Sequence, residues 1–358
     1  MFVRNLILSS DRTRICQDVM SFAYVNGEGF IEELKQKGSK AYLVPHPRKK
    51  GYGPFSKEVL KIMKDGQYDV VHCHMDGWRS SMFRKLAKKA KIKLFCTHAH
   101  RTTNDPGLIK NNKLYLRINE KISCANADIK FACGMDAGKF IYGNTNDIVV
   151  IPNGIDLERC HTAEKTDQSQ KKESLGIGEL ELVLLQVGRL VGVKNHAFMI
   201  EIADQLRKKG IAFKILVAGT GELQQTLEEK VREKNLADFV HFLGRRDDIY
   251  ELMAISDLML LPSFSEGLPT VVVEAQAMGL GSLISDTITK ECDQGLGLIR
   301  FLPINQGAKI WSNAIASYKK TNIPDRAYID EKMIQNAYTS YGAAEKYYLT
   351  LENALNKC

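Results

Sequence analysis

The chain has 358 residues, is 44% hydrophobic and 26% charged, and carries a formal net charge of +8. That length exceeds one ordinary core, so about two domains are expected, and the composition excludes disordered and fibrous classes. No apolar run approaches the roughly 20 residues needed to cross a bilayer. The start, Met1-Phe-Val-Arg-Asn5, lacks the layout of a secretory signal, and the eight cysteines include no Cys-x-x-Cys pair, which predicts a cytoplasmic, reducing location.

The charge is uneven. Residues 1–100 hold 19 Lys/Arg against 9 Asp/Glu, a balance of +10, while the remainder holds 31 against 33. A basic first part suits an anionic partner such as a membrane surface, a lipid-linked phosphate or an acidic polymer. The plainer reading is that Lys-rich helices such as Arg84–Lys91 present a solvated face. No nucleic-acid partner is expected.

Taken in order, the first half alternates strand-like and helix-like segments. Strands are predicted at Gln17–Ala23, Lys40–Pro45, Tyr68–His74, Lys93–Thr97, Ile129–Cys133 and Ile148–Pro152. Helical patterns fall at Gly29–Lys37, Lys57–Asp65, Ser80–Ala90, Leu114–Ala125 and Met135–Ile141. Such βαβα alternation calls for a parallel sheet with helices on both faces. The basic stretch Pro45–Pro54 reads as a mobile connection. A turn at Pro152–Asp156 closes the first domain, residues 1–155, and the polar stretch His161–Ser174 marks the boundary.

The second domain, residues 156–327, repeats the alternation. Strands are predicted at Leu182–Val187, Phe213–Ala218, Phe239–Phe242, Leu258–Leu261 and Ser282–Ser285, with helices near 195–209, 221–235, 247–254 and 269–279. Tyr328–Asn356 reads as one long helical tract. The fold class is therefore α/β, with two Rossmann-like parallel sheets.

Four stretches carry chemistry. Val187-Gly188-Arg189-Leu-Val-Gly-Val-Lys194-Asn195 is a glycine-punctuated turn with two cations before a helix. That suits a diphosphate, although a plain surface turn has the same look. It is neither a Walker loop nor GxGxxG. Gly219 and Gly221 follow a strand and read either as close backbone approach to a ligand or as a tight turn. Gly244, before Arg-Arg-Asp-Asp, either offers main-chain groups to a planar base or belongs to a solvated charge run. The fourth is Ser263-Phe-Ser-Glu266-Gly267-Leu268-Pro269-Thr270, followed by Glu274 and Gly279. Pro269 and Gly279 bracket a helix despite the strand propensity of three consecutive valines. Glu266 and Glu274 then stand between strand end and helix, where carboxylates accept hydrogen bonds from sugar hydroxyls and amide groups face phosphate.

His72 and His74 alternate along one predicted strand, and Cys96, His98 and His100 along the next. Same-face spacing gathers imidazoles at the strand ends, for binding or catalysis or simply as packing there. The spacing matches no standard zinc pattern, so no metal is expected.

With Ile151-Pro-Asn-Gly-Ile-Asp156, Gly188-Arg189, Lys194-Asn195, Ala218–Gly221, Phe242–Gly244 and the Glu266/Glu274 pair, the chain resembles retaining glycosyltransferases of the GT-B fold, family 4. These build capsular, extracellular or lipopolysaccharide sugars. Ser285–Glu291 resembles a subgroup with exopolysaccharide enzymes. The resemblance implies two domains facing a central cleft, a UDP- or GDP-sugar donor and no other cofactor. It further implies a glycan or lipid-linked acceptor and a place at the inner face of the cell membrane. It implies that Arg189 and Lys194 hold the diphosphate, Glu274 the ribose, and Glu266 with the backbone of Gly267, Leu268, Pro269 and Thr270 the donor sugar. Gly188, Gly219, Gly221 and Gly244 would line the nucleotide, His100 would stand by the reacting sugar, and the last helix, about 328–358, would return to the first domain.

Two departures accompany it. Family members open with a strand and a Gly-rich loop, whereas Met1-Phe-Val-Arg-Asn-Leu6 matches the helix that follows them. The absence of that strand predicts exposed backbone edges or a gap in the sheet, and it raises the alternative of a non-catalytic binding or partner subunit. Leu280 also replaces the usual proline after Gly279. Another GT-B enzyme, such as a nucleotide-sugar epimerase, fits the Glu pair and the two cations less well.

Overall fold

The computed structural model describes residues 2–23, 27–101, 113–143, 146–320 and 323–357. It divides into two compact units, Met1–Gly154 with Ala337–Cys358, and Ile155–Asn336.

The first unit carries β1 (Val19–Ser21), β2 (Ala41–Leu43), β3 (Val70–Cys73), β4 (Leu94–Ala99), β5 (Ile129–Ala132) and β6 (Ile148–Val150). All pairings are parallel. β4 is buried along its whole length, as a strand covered on both faces must be. Its period-2 alternation divides the core. Leu94 and Cys96 join Phe2, Leu6, Phe131 and Tyr347 on one face, and Phe95 joins Phe55, Val59 and Leu86 on the other. Among the described residues β1–β2 form one sheet and β3–β6 another, with no ladder between them.

Three expectations need correction. The stretch Pro45–Pro54 is not a plain loop: a short helix spans Pro47–Lys50, and a longer one, Tyr52–Asp65, begins well before the predicted Lys57. His46 accepts the Arg48 amide at 3.1 Å, and Pro47 sits where a helix start tolerates proline, so these turn residues serve as helix starts. The polar stretch His161–Ser174 lies past the division between the units, within helices Leu157–Glu164 and Gln168–Ser174 capped by Asp156 and Asp167. Finally, the C-terminal tract is two helices, Arg326–Gln335 and Ser340–Leu355, parted at Ala337 with φ +57°. Only the second joins the first unit's core, through Ala343, Ala344, Tyr347 and Leu351.

The second unit holds β7 (Leu182–Val187), β8 (Phe213–Ala218), β9 (Val240–Gly244), β10 (Leu258–Leu261), β11 (Ser282–Ser285) and β12 (Ile299–Leu302). One continuous parallel sheet runs β12-β11-β10-β7-β8-β9, so the strand order reverses at β7. Ligands in such sheets bind at the strand ends beside that reversal. β12 and the helix Ala308–Ala316 were not predicted. Trp311 of that helix is fully buried and donates to the Pro303 carbonyl at 3.0 Å. The helix Thr270–Ala277 confirms helix over strand for the valine run. Pro269 is its N-cap residue, and Gly279 stops it at φ +66°, where a side chain is strained. No described helix is long and apolar enough to cross a membrane.

Candidate functional site

In the second unit two loops leave the sheet at the reversal, one after β7 and one after β10. They are clamped together: Phe264 donates its amide to Val193 at 2.9 Å, and Asn195 donates its side-chain amide to the Pro262 carbonyl at 3.0 Å. Across the clamp, Lys194 Nζ meets both oxygens of Glu266 at 2.7 and 2.8 Å. Their side chains are only 18% and 11% exposed, so the pair is largely withdrawn from water and sensitive to losing either partner. Arg189, on the Lys194 loop, is exposed, and no hydrogen bond or ion pair to its guanidinium is present among the described residues. Pro269 gives the helix after Glu266 no side-chain cap, and the positive end of that helix's dipole suits an anion.

One turn into that helix, burial pushes the Glu274 carboxyl above its ordinary range. The Tyr250 hydroxyl, donating at 3.4 Å, and the charge of Arg159 work the other way. Arg159 in turn lies over the Tyr250 ring, 5.1 Å from its centroid. Gln276 is fully buried and donates to the Cys292 carbonyl at 2.8 Å while accepting the Gln294 amide at 2.9 Å. It ties the 292–294 segment to the same helix.

The glycines have a structural role of their own. A Cβ on Gly219 would stand 2.0 Å from the Gly188 carbonyl oxygen, and one on Gly221 2.4 Å from the Leu190 carbonyl oxygen. Backbone stacked on backbone demands both. Beyond β9, Arg246 and Asp248 pair with each other and Asp248 with Lys171, so half of that charge run satisfies itself. Gly244 adopts φ +65° and faces open space.

The first unit gathers a different chemistry. His72 of β3 and His98 of β4, with His74 and His100 just past the strand ends, line one face. His74 Nδ1 and His100 Nε2 are 2.8 Å apart, and His72 Nδ1 lies 3.0 Å from the Tyr347 hydroxyl. Phe2 stands edge-on to His74, His98 and His100. Burial drives His72 down to about 3 and His98 well below its ordinary value, with repulsion from His100 adding to both and an Ala132 backbone contact opposing it at His98. Burial among rings also drives His100 down, to about 4. Its outer edge is solvent-exposed, however, so we assign it a smaller depression than His98.

Two family models match, one to each region: glycosyltransferase family 4 over residues 19–159, and glycosyl transferases group 1 over residues 167–293. The putative glycosyltransferase EpsF of Bacillus subtilis strain 168 is 34% identical over 342 residues, which cover 94% of this chain and 88% of that one. The chain belongs to the family 4 glycosyltransferases. A second relative is the UDP-Gal:alpha-D-GlcNAc-diphosphoundecaprenol alpha-1,3-galactosyltransferase of Escherichia coli. It is 30% identical over 243 residues, 65% of this chain and 62% of that protein. The crystal structure of Anabaena HepE in complex with UDP superposes with a TM-score of 0.75 at 20% identity, covering 98% and 95% of the two chains. The fold is that of GT-B glycosyltransferases.

Within this glycosyltransferase the structure brings Lys194 and Glu266 into direct contact and seats Glu274 in the adjoining helix. His100 lies in the other unit. Tyr250, Arg159 and Gln276 escaped the sequence reading. Tyr250 and Arg159 lie 24 and 115 residues before Glu274 and belong to no spacing pattern; Gln276 sits inside the recognised stretch but looks like any helical glutamine.

Proposed function

We propose that this glycosyltransferase moves a sugar from a nucleotide-sugar donor to an acceptor hydroxyl, with retention at the anomeric carbon, in the synthesis of surface polysaccharide or glycolipid. The observation that carries the reading is the nearly buried Lys194–Glu266 pair beside the unpaired Arg189 and an uncapped helix start. Breaking the bond from the anomeric carbon to the diphosphate leaves negative charge on the departing oxygens. Arg189, Lys194 and the helix amides would receive it, the task a metal ion performs elsewhere, so the diphosphate needs none. The family resemblance assigns Glu274 to the ribose, Glu266 and the backbone of residues 267–270 to the sugar, main chain at Gly244 to the base, and His100 to the reacting centre. Neither glutamate serves as a covalent nucleophile. UDP is the nucleotide bound by HepE, and a UDP- or GDP-sugar is the donor class tested first.

Incubating the protein with a panel of UDP- and GDP-sugars and lipid- or glycan-linked acceptors, without added metal, tests this. The expected result is nucleotide release matched by a product whose new linkage keeps the donor's anomeric configuration. An inverted linkage, or dependence on added Mg²⁺, would overturn it.

The divided sheet of the first unit favours one further reading, a nucleotide-binding subunit that supports a partner enzyme. Donor binding without turnover over the whole panel would establish that reading instead. The basic surface around Lys49, Lys50, the exposed Tyr52 and Trp78, with Arg48 above the Trp78 ring, suits an anionic membrane carrying the acceptor. Flotation with phosphatidylglycerol vesicles should retain the protein at low salt and release it at high salt. Equal retention on neutral vesicles would refute that surface.

A further inference from the structure

The proposed reaction uses one histidine of the first unit's cluster, His100, and leaves three others unexplained. We propose that His72, His74 and His98 form a binding site for a divalent d-block cation of the zinc class. The inference stands on the first unit alone and does not depend on sugar transfer.

One ring nitrogen from each of the three lies within 4.8 Å of the other two. A tetrahedral zinc ion with bonds of about 2.0–2.1 Å holds its nitrogens about 3.4 Å apart and the ring centroids about 5 Å apart. The observed centroid separations are 4.4, 5.3 and 5.5 Å, so the rings already stand at that spacing. Binding then requires the nitrogens to converge by about an ångström, chiefly by turning the His72 and His98 rings out of their near-parallel stack, 16° between planes.

Three features point to a ligand rather than to packing alone. His98 is 3% exposed, and apart from the Ala132 backbone contact neither of its ring nitrogens has a hydrogen-bond partner among the described residues; the buried Nε2 of His72 has none there either. Buried polar atoms are ordinarily satisfied, and a cation would satisfy these. The other nitrogens of His72 and His74 are already held, by the Tyr347 hydroxyl and by His100, the outer-shell contacts that fix which nitrogen of a ligating imidazole faces a metal. The nearby charges of Asp76 and Arg101 are spent on each other. Neutral imidazoles select zinc, copper or nickel over magnesium and calcium. His74 and His100 are exposed, which gives an ion access and leaves a fourth position for water.

The test uses the full chain without an affinity tag, stripped by chelator and titrated with Zn²⁺ by calorimetry and with Co²⁺ by visible absorption. One ion per chain is expected, with the intense visible bands of tetrahedral Co²⁺. His74→Ala, at the exposed rim, and His98→Leu should each weaken binding tenfold or more, and Tyr347→Phe should weaken it by about tenfold while leaving the stoichiometry intact. His161→Ala, in the second unit, should change nothing. Absence of one-to-one binding, or full affinity in His74→Ala, would overturn the site and leave an aromatic stack. If His98→Leu fails to fold, His74→Ala decides alone. No donor is present in the assay, so its outcome says nothing for or against sugar transfer.

Discussion

The two units solve the same parallel-sheet problem with unequal means. The second has six strands in one sheet, a large core around Trp311, Phe213 and Leu184 on one face, and buried Leu185, Met259 and Leu261 at the alternating positions of its strands. Its candidate site residues are charged groups, with Lys194 and Glu266 on loops clamped together and Arg189 beside them on the Lys194 loop. The first has a sheet in two parts, smaller cores on opposite faces of β4, and a candidate face of imidazole rings. Opposite charges can be kept nearly buried where rigid loops fix them in contact. Where the frame is less continuous, the structure buries uncharged imidazoles instead.

The largest effect expected is on stability. Trp311→Ala should cost the second unit about 3–5 kcal/mol and lower its unfolding transition while sparing the first unit's. Calorimetry, with fluorescence from Trp78 as reporter of the first unit, checks this. A single transition lowered as a whole would show that the units do not unfold separately.

Next in size, Lys194→Ala and Arg189→Ala should each reduce kcat/KM by about 10²–10³-fold, as removal of one transition-state charge contact does. Steady-state kinetics decide, and losses below tenfold would place the chemistry elsewhere.

The imidazole face predicts a smaller, pH-dependent effect. His72 and His98 titrate lower in the folded chain than the ordinary histidine value of about 6.5, so below that pH the unfolded chain binds more protons. Stability should therefore be complete above pH 6.5 and fall with acidification towards about 3, the value to which His72 is driven. The slope is up to about 1.4 kcal/mol per pH unit for each buried histidine. Urea midpoints from pH 7.5 to 4.5 measure it, and His98→Leu should flatten the slope. An unchanged profile would contradict the burial argument.

The smallest effect falls on Tyr250→Phe. Loss of one long hydrogen bond to Glu274 is worth about 0.5–1.5 kcal/mol, so donor KM should rise by less than about tenfold with kcat kept. A fall in kcat would give Tyr250 a part in the chemistry.

Much of this was legible in the sequence, because parallel strands buried on both faces read as apolar runs and the Glu266/Glu274 pair keeps its register along one segment. What escaped depends on contacts between distant residues. Tyr347 reaches His72 across 275 positions, and Arg159 meets Tyr250 across 91. The break at Ala337 has no glycine or proline to announce it; the residue is simply held at positive φ. β12 is a four-residue edge strand interrupted by Arg300, too short to signal itself by periodicity. The basic stretch misled because Pro47 and Pro54 can open a helix as readily as they can break one.

The most direct test of the charged half is calorimetric titration of the full chain with UDP and GDP, comparing wild type with Arg189→Ala and Lys194→Ala. One nucleotide diphosphate per chain is predicted for the wild type, with affinity reduced at least tenfold in each variant. Unchanged affinity in both, with the fold intact, would contradict the assignment of the diphosphate to Arg189 and Lys194.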